Sequence, residues 1–318
     1  MNDMSKIMYI VVPCFNEEEV LLDTNSKLIT KIKELIDNKL ISEVSRVLYV
    51  DDGSRDSTWD VICELHEKHE YVTGLKLSRN KGHQNALMAG LMEAKNHADM
   101  VVSMDADLQD DIDVLERFIQ EYENGADIVY GVRNSRKKDS FFKRNTAIAF
   151  YKLMRMMGVE LVYNHADYRL MSKRALHELE GYKEVNLFLR GIIPLIGFKT
   201  ATVEYERGER LAGETKYPLR KMLQFAIEGI TSCSVRPIRL IAVTGMLIAL
   251  MSVVMLIHTI VGYFQGGTID GWASMVVIMC FLGGFQIFSI GIVGEYVGKI
   301  YLEAKGRPRY AIESKKIK

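Results

Sequence analysis

Apolar and polar positions alternate with two different periods in the first part of the chain. Short apolar runs rich in β-branched residues predict strands at residues 8–12, 47–50, 73–77, 100–104 and 127–131. Between them, apolar residues recur at helical spacing in residues 18–40, 57–69, 82–94 and 112–124. Because strands alternate with helices, the pattern predicts an α/β domain with a mostly parallel sheet and helices on both faces.

Two much longer apolar stretches lie near the end of the chain. Residues 238–264 are nearly all apolar, and residues 272–293 contain no charged side chain. Each stretch is longer than the roughly 20 residues that cross a hydrocarbon core of about 30 Å. The pattern therefore predicts a hairpin of two transmembrane helices, at about 238–264 and 272–298.

The charges around this hairpin predict its orientation. The connector at 265–271 has no Lys or Arg, whereas Arg236 and Arg239 precede the first span and Lys299 and Arg309 lie beyond the second. Basic flanks stay on the cytoplasmic side of a membrane. We therefore expect a multi-pass protein of the cell membrane, with its main domain and both termini in the cytoplasm.

Residues 217–236, directly before the first span, carry an apolar stripe at helical spacing. A helix of this kind can lie in the plane of the membrane interface, or it can be an ordinary core helix of the main domain. Its position immediately before Arg236 and Pro237 favours the interfacial interpretation.

Composition adds an uneven distribution of charge. The 318 residues include 41 Lys and Arg against 41 Asp and Glu. Residues 220–318 carry 11 basic and 5 acidic residues, whereas residues 1–219 carry 30 and 36. An acidic main domain argues against nucleic acid as a partner. The four cysteines lack metal-ligand spacing, which argues against zinc and fits a reducing compartment.

Polar clusters follow four of the predicted strands. They contain Asn16 and Glu17, Asp51 and Asp52, Asn80, and Asp105 and Asp107. A parallel sheet binds ligands at the carboxyl ends of its strands. The clusters therefore predict one site on one edge of the sheet.

Asp105 and Asp107 are the strongest candidates for metal ligands. Two residues apart in an extended segment, they point to the same side, where two carboxylates can hold Mg²⁺ or Mn²⁺ together with substrate phosphates. A solvated turn or a helix N-cap is the alternative, because Asp110 and Asp111 are suited to cap the helix from residue 112.

Six segments occur in one order along the chain: VVPCFNEE, VDDGSRDST, LSRNKGHQNAL, SMDADLQD, HADYRLMSKRAL and ERLAGETKY. Together with the hairpin they resemble the family 2 glycosyltransferases, in the polyprenyl-phosphate branch of bactoprenol glucosyltransferases and dolichol-phosphate mannose synthases. The resemblance implies a Rossmann-like GT-A catalytic domain at 1–216, the interfacial helix at 217–236, the two spans within 237–298, and a basic cytoplasmic tail at 299–318.

The resemblance also implies roles for single residues. The nucleotide-sugar site would comprise Pro13, Glu17, Asp51, Asp52, Asn80, Asp105, Gln109, Arg207 and Arg210. Asp52 matches the carboxylate that reads the uracil edge, and Gln109 matches a contact to the sugar or to metal-bound water. Asp105 and Asp107 match the metal motif. Arg207, Arg210 and Lys216 match a basic loop that closes over phosphates, with Thr215 where the family more often has Ser.

On the acceptor side, Asp167 matches the family's candidate base, and Arg169 follows it. A phosphate monoester is already largely ionised near neutral pH, since its second pKa is about 6, so Asp167 can instead orient the acceptor or the metal. We assign Arg169 to the acceptor phosphate, together with Arg133 and Arg144 of the basic group at 133–144, for which a solvated surface loop is the alternative. Lys137 and Lys138 are interpreted as solvated surface residues.

The expected reaction is inverting transfer of a hexose, glucose above others, from a UDP-sugar to polyprenyl (undecaprenyl) phosphate, with Asp107, Asp167 and Lys216 as catalytic residues. Another sugar, such as N-acetylglucosamine, galactose or mannose, remains an alternative. A metal-dependent nucleotidyltransferase and a non-catalytic membrane subunit are alternatives of other classes. We also expect contacts with membrane lipids and a homo-oligomer.

Overall fold

The computed structural model describes residues 5–107, 109–133, 152–154, 156–158, 165–206, 227, 229–232, 234–264 and 271–317. Its strands are β1 (Met8–Cys14), β2 (Arg46–Asp51), β3 (Val72–Leu77), β4 (Met100–Ser103), β5 (Ile128–Arg133), β6 (His165–Ser172), β7 (Thr200–Tyr205) and β8 (Ile312–Lys316). Its helices are α1 (Leu21–Asp37), α2 (Thr58–Lys68), α3 (His83–Ala94), α4 (Leu115–Glu123), α5 (Lys173–Glu180), α6 (Leu189–Ile192), α7 (Arg236–Phe264) and α8 (Trp272–Ala304). Short 3₁₀ helices occupy Ile112–Val114 and Ile193–Ile196.

The strands form one sheet in the order β7-β5-β6-β4-β1-β2-β3-β8. Its centre, β4-β1-β2-β3, is parallel, and every residue of β1 is buried. One hydrophobic core lies on each face. Ile10, Leu28 and Phe118 belong to the first, whereas Val11 and Leu87 belong to the second. The predicted parallel sheet with helices on both faces is thereby confirmed.

Two strands outside this pattern pair in the opposite direction. β6 lies antiparallel between β4 and β5, and β8 lies antiparallel against β3 at the sheet edge. The apolar pattern did not reveal them because β6 carries Asp167 and Arg169 and β8 carries three charged residues in five, Glu313, Lys315 and Lys316. Charged side chains are typical of edge strands such as β8, where they oppose further pairing.

The C-terminal segment 299–318, expected as a basic tail, contains regular secondary structure. Its first six residues complete α8, and Ile312–Lys316 form β8. The end of the chain therefore returns to the main domain after the hairpin. Backbone pairing with β3 supplies the reason, since it satisfies N–H and C=O groups along that edge.

The hairpin helices α7 and α8 contain 29 and 33 residues. They expose large apolar side chains, including Leu240, Met246, Phe281 and Ile287. Of the residues that the structure describes, one stretch, Phe281–Ala304, is long and apolar enough to cross a membrane. The predicted second span overlaps this stretch, and the predicted first span coincides with α7. Most of the proposed interfacial helix, including residues 217–226, lies outside the described residues.

Candidate active site

The loops after β1, β2, β3 and β4 open on one edge of the sheet. The parallel register places Val11 beside Ser103 and Cys14 beside Asp51, so these strands end side by side. Pro13 interrupts little hydrogen bonding, because pairing with β4 stops at Val11. The predicted polar clusters therefore do come together.

Asp52 holds the loop after β3 against the loop after β2. Its buried carboxylate accepts the backbone N–H groups of Lys81 at 2.7 Å and Gly82 at 2.8 Å. Burial raises the pKa of Asp52, and these two hydrogen bonds oppose that rise. Asp52 thus organises the loop, and its expected contact with uracil stays a prediction.

Gly53 permits this close approach of the two loops. It has a φ of +65°, and a Cβ at this position would lie 2.5 Å from the carbonyl carbon of Arg79. Only glycine combines this backbone conformation with the absence of a side chain. Asn80 shapes the same loop through its side-chain oxygen, which accepts the N–H of Gly82 at 3.1 Å.

Asp51 is fully buried beneath this loop. Its Oδ1 accepts the N–H of Ser54 at 3.0 Å, while Oδ2 has no hydrogen-bond partner among the described residues. Burial raises the pKa of this carboxyl group. Asp51 supports the turn from inside and does not line an open surface.

The loops after β1 and β2 are joined through Asn16. Its backbone N–H donates to Ser54 Oγ, and its side-chain oxygen accepts the N–H of Arg55 at 2.9 Å. The backbone N–H of Glu17 donates to Thr58 Oγ1 at 2.9 Å. Between these loops is a cavity of about 500 Å³, lined by Asn16, Glu17, Glu18, Glu19, Val20, Arg55 and Asp56.

Asp105 and Asp107 lie beyond the end of β4. Burial raises the pKa of Asp105, His83 opposes the rise, and the carboxylates of Asp167 and Asp110 add to it. The Asp107 carboxylate accepts the N–H of Gln109 at 3.3 Å. In the part of the chain that the structure describes, no group of three or more His, Cys, Asp and Glu side chains forms a metal site.

This set of groups fits a divalent cation that substrate phosphates help to hold. Mg²⁺ is usually bound through one or two carboxylates plus phosphate oxygens, not by a complete protein cage. Burial and, to a smaller extent, the neighbouring carboxylates raise the pKa of Asp105, and a cation at this position would offset that crowding of negative charge.

Asp167, at the start of β6, lies on the same edge because β6 runs antiparallel to β4. It accepts hydrogen bonds from Arg190 Nε at 3.2 Å and Nη2 at 3.0 Å, and from Arg169 Nη2. Burial alone would raise the pKa of Asp167, but the two guanidinium groups outweigh it and hold the pKa well below its usual range. Such a carboxylate is a weak base.

The two arginines differ in access to solvent. The side chain of Arg169 is 1% exposed, whereas that of Arg190 is 33% exposed. Arg169 therefore fixes Asp167 from below, and its burial disagrees with the expected contact to an acceptor phosphate. Arg190 is the guanidinium that a ligand can reach.

His83, the first residue of α3, bridges the two sides of the site. Its Nε2 lies 3.7 Å from Asp105 Oδ1 and 3.8 Å from Asp167 Oδ2. The imidazole is 43% exposed. It therefore lies between the candidate metal ligand and the candidate acceptor residue.

Arg133, at the end of β5, forms a third group on this edge. Its Nη2 lies 3.5 Å from Asp110 Oδ1, and its Nε lies 3.3 Å from the Tyr205 hydroxyl, which also donates to Asp110. The other predicted basic residues, Arg144, Arg207, Arg210 and Lys216, lie outside the described residues.

Sequence reasoning missed His83, Arg190 and Tyr205. His83 stands in the quoted segment LSRNKGHQNAL, but nothing local indicated its partners. Arg190 had a usable signal, since it is a lone charge within the apolar segment NLFLRGIIPLIG. A charge at such a position usually needs a partner.

Comparison with known proteins agrees with this arrangement. Residues 9–180 match the family model described as Glycosyl transferase family 2. Residues 236–300 match the model described as GtrB C-terminal hairpin, which supports membrane association.

Three similar proteins span most of the chain. "Uncharacterized glycosyltransferase YkoT" of Bacillus subtilis (strain 168) is 55% identical over 98% of this chain and 93% of the relative. "Bactoprenol glucosyl transferase" of Shigella phage SfX is 39% identical over 96% of this chain and 99% of the relative. The solved structure "Mannosyltransferase PcManGT from Pyrobaculum calidifontis in complex with GDP-Man and Mn2+" is 15% identical, covers 94% of this chain and 87% of that chain, and has a TM-score of 0.48.

Proposed function

Because this chain belongs to glycosyl transferase family 2, we propose that it transfers glucose from UDP-glucose to a polyprenyl phosphate at the cytoplasmic face of a membrane. The observation that carries the proposal is the 39% sequence identity of the chain with a bactoprenol glucosyl transferase. This similarity extends through both the catalytic domain and the hairpin. The geometry of the sheet edge supports it, since the described residues that we propose for the nucleotide, the metal and the acceptor lie at the same edge.

On the donor side, the cavity beside Asn16 and Glu17 and the loop held by Asp52 accommodate the nucleotide. The exposed ring of Phe15, at the same strand end, is available to stack on the base. Asp105 and Asp107 would hold Mg²⁺ or Mn²⁺, which offsets negative charge on the diphosphate when bound. Arg207, Arg210 and Lys216 belong to this side in the proposal.

In the reaction, an oxygen of the acceptor phosphate attacks the anomeric carbon from the face opposite UDP. The bond between that carbon and the diphosphate oxygen breaks, and UDP leaves with the electron pair. Inversion at the carbon gives a β-linked lipid phosphate sugar. The acceptor oxygen is already ionised near neutral pH, because its pKa is about 6, so no side chain has to remove a proton.

Asp167 therefore acts as a positioning residue in this proposal, not as a general base. Its low pKa makes it a poor proton acceptor, and its two oxygens fix the planar guanidinium of Arg190. Arg190 then presents its positive charge to the acceptor phosphate. Arg133 and Arg144 are proposed as further contacts of that phosphate, whereas Arg169 is too deeply buried to reach it.

The hairpin presents the lipid acceptor to this site. We assign both α7 and α8 to the membrane, with the main domain and both termini in the cytoplasm, because basic residues flank the hairpin on one side. The long apolar tail of the acceptor then stays in the bilayer while its phosphate reaches the edge of the sheet.

The test is to incubate the purified full chain with undecaprenyl phosphate, Mg²⁺ and separate nucleotide sugars: UDP-glucose, UDP-galactose, UDP-N-acetylglucosamine and GDP-mannose. Mass spectrometry should identify a hexosyl phospholipid with UDP-glucose and release of UDP. A product formed only with one of the other donors would show that the transferred sugar is not glucose. Release of pyrophosphate would indicate a nucleotidyltransferase, and failure to bind any nucleotide would favour a non-catalytic subunit.

A further inference from the structure

Glu303, in the last turn of α8, forms two hydrogen bonds with a loop of the catalytic domain. Its Oε2 accepts the N–H of Val185 and its Oε1 accepts the N–H of Asn186, each at 2.8 Å. Hydrogen bonds to a carboxylate are stronger than those between neutral groups. One side chain of the membrane hairpin therefore holds two consecutive backbone groups of the catalytic domain.

The loop that contains Val185 and Asn186 leads directly into the candidate active site. Four residues after Asn186, Arg190 contacts both oxygens of Asp167. Between them, the N–H of Leu189 donates to Gln84 Oε1 at 2.9 Å, next to His83. Buried Phe188 and Leu189 fasten this short connection to the core. A displacement of the backbone at Asn186 is therefore expected to displace Arg190 as well.

The chain beyond Glu303 holds the same region from a second side. Arg309 donates to the carbonyl oxygen of Tyr182. The N–H of Ser78 donates to the carbonyl oxygen of Ala311 at 2.9 Å, close before the loop that carries His83. The segment that follows the hairpin thus contacts the loop that leads to Arg190 and the loop that leads to His83.

This contact also brings the carboxylates of Glu184 and Glu303 close together. Burial raises the pKa of Glu184, and the neighbouring charge of Glu303 raises it further. Repulsion between like charges is unfavourable. The paired hydrogen bonds to Val185 and Asn186 oppose that repulsion.

We infer that Glu303 is a positioning residue of the transfer reaction, which sets Arg190 on Asp167 according to how the hairpin is seated in the membrane. The inference rests on the proposed function for the reaction, but the contact itself does not. Seating of α8 fixes the loop at 185–186, and the loop fixes the guanidinium that meets the acceptor phosphate.

The test compares Glu303→Gln with Glu313→Gln in the full chain, reconstituted in lipid nanodiscs. Gln keeps the shape of Glu303 but replaces one accepting oxygen with an N–H₂ group. Glu313 is the control because it lies on β8 of the same segment and pairs with Lys76 at 3.3 Å, away from the 182–190 loop. Amide hydrogen exchange of residues 183–190, kcat for lipid transfer and the Kd of UDP are measured.

We expect Glu303→Gln to speed exchange in residues 183–190 and to lower kcat, each by about tenfold, the factor that corresponds to ~1.4 kcal/mol. The Kd of UDP should stay within about twofold, and Glu313→Gln should change none of the three quantities. Glu303→Asp, which keeps the charge, should recover part of the lost rate and serves as the second variant if the first does not fold.

Unchanged amide exchange in residues 183–190 of Glu303→Gln would overturn the inference. Faster exchange with an unchanged kcat would overturn it too, because the contact would then stabilise the loop without affecting the reaction. A wild-type chain that makes no glucolipid would overturn the proposed function instead. In that case the exchange comparison would still decide whether Glu303 positions the loop.

Discussion

Arg190 contacts both carboxylate oxygens of Asp167 across an interval of 23 residues, through Nε at 3.2 Å and Nη2 at 3.0 Å. This paired geometry fixes the plane of the guanidinium as well as its distance. An ammonium group on a flexible stem has no such plane. The arrangement therefore makes a specific demand for arginine at position 190.

Arg190→Lys should lower kcat for lipid transfer by about tenfold or more, while the affinity for UDP changes little, because the charge remains but the paired geometry is lost. Initial rates and calorimetry measure the two effects. Arg174→Lys is the matched control, since Arg174 contacts Asp127 through the same two nitrogens but is 66% exposed and lies away from the active-site edge. Equal losses in both variants would contradict a role at the acceptor.

Asp167→Asn should destabilise the protein by about 3–5 kcal/mol, because it leaves buried Arg169 without its counter-charge. The pKa of Asp167 is lowered in the fold, so its stabilising effect is complete above the unfolded value of about 3.9 and is lost only as the pH falls further. The difference in Tm from wild type should therefore be constant from about pH 5 to 8. A difference that grew across this range would mean that Asp167 titrates within it.

Asp107→Asn should weaken Mn²⁺ binding in the presence of UDP by about tenfold or more and should abolish transfer, while the fold is retained. Calorimetric titration of Mn²⁺ and circular dichroism provide the readouts. Asp60→Asn, on the exposed first turn of α2, is the control for lost charge. Substantial transfer by Asp107→Asn with chelator present would end the metal hypothesis.

Gly53→Ala should lower Tm and weaken UDP binding, because its methyl group would meet the backbone of Arg79 at 2.5 Å and displace the loop held by Asp52. Gly125→Ala is the control. Gly125 also has a positive φ, of +86°, but the contact of its Cβ would be an ordinary one, 3.7 Å from Lys199 Nζ. It should cost about 1–2 kcal/mol of conformational strain and leave UDP affinity unchanged. The same loss of affinity in both variants would show that strain alone is responsible.

The sequence by itself determined the elements whose burial shows in a local period. The run before Pro13 is apolar throughout because β1 is covered on both faces. The two long, uninterrupted apolar stretches form the helices α7 and α8. Parallel pairing then made the positions of Asn16, Asp52 and Asp105 predictable, since neighbouring parallel strands end on the same edge.

Only the tertiary structure decided what these groups contact. Asp167 joins Asp105 because β6 runs antiparallel beside β4 and pairs Arg169 with Ser103, and no local period specifies the partner or direction of a strand. Asp52 lies on the predicted edge, but its hydrogen bonds to Lys81 and Gly82 depend on the approach that Gly53 permits. Glu303 reaches Val185 and Asn186 across more than a hundred residues. Hydrophobic burial is expressed locally in the chain, whereas hydrogen bonds and ion pairs between distant residues exist only after the chain has closed on itself.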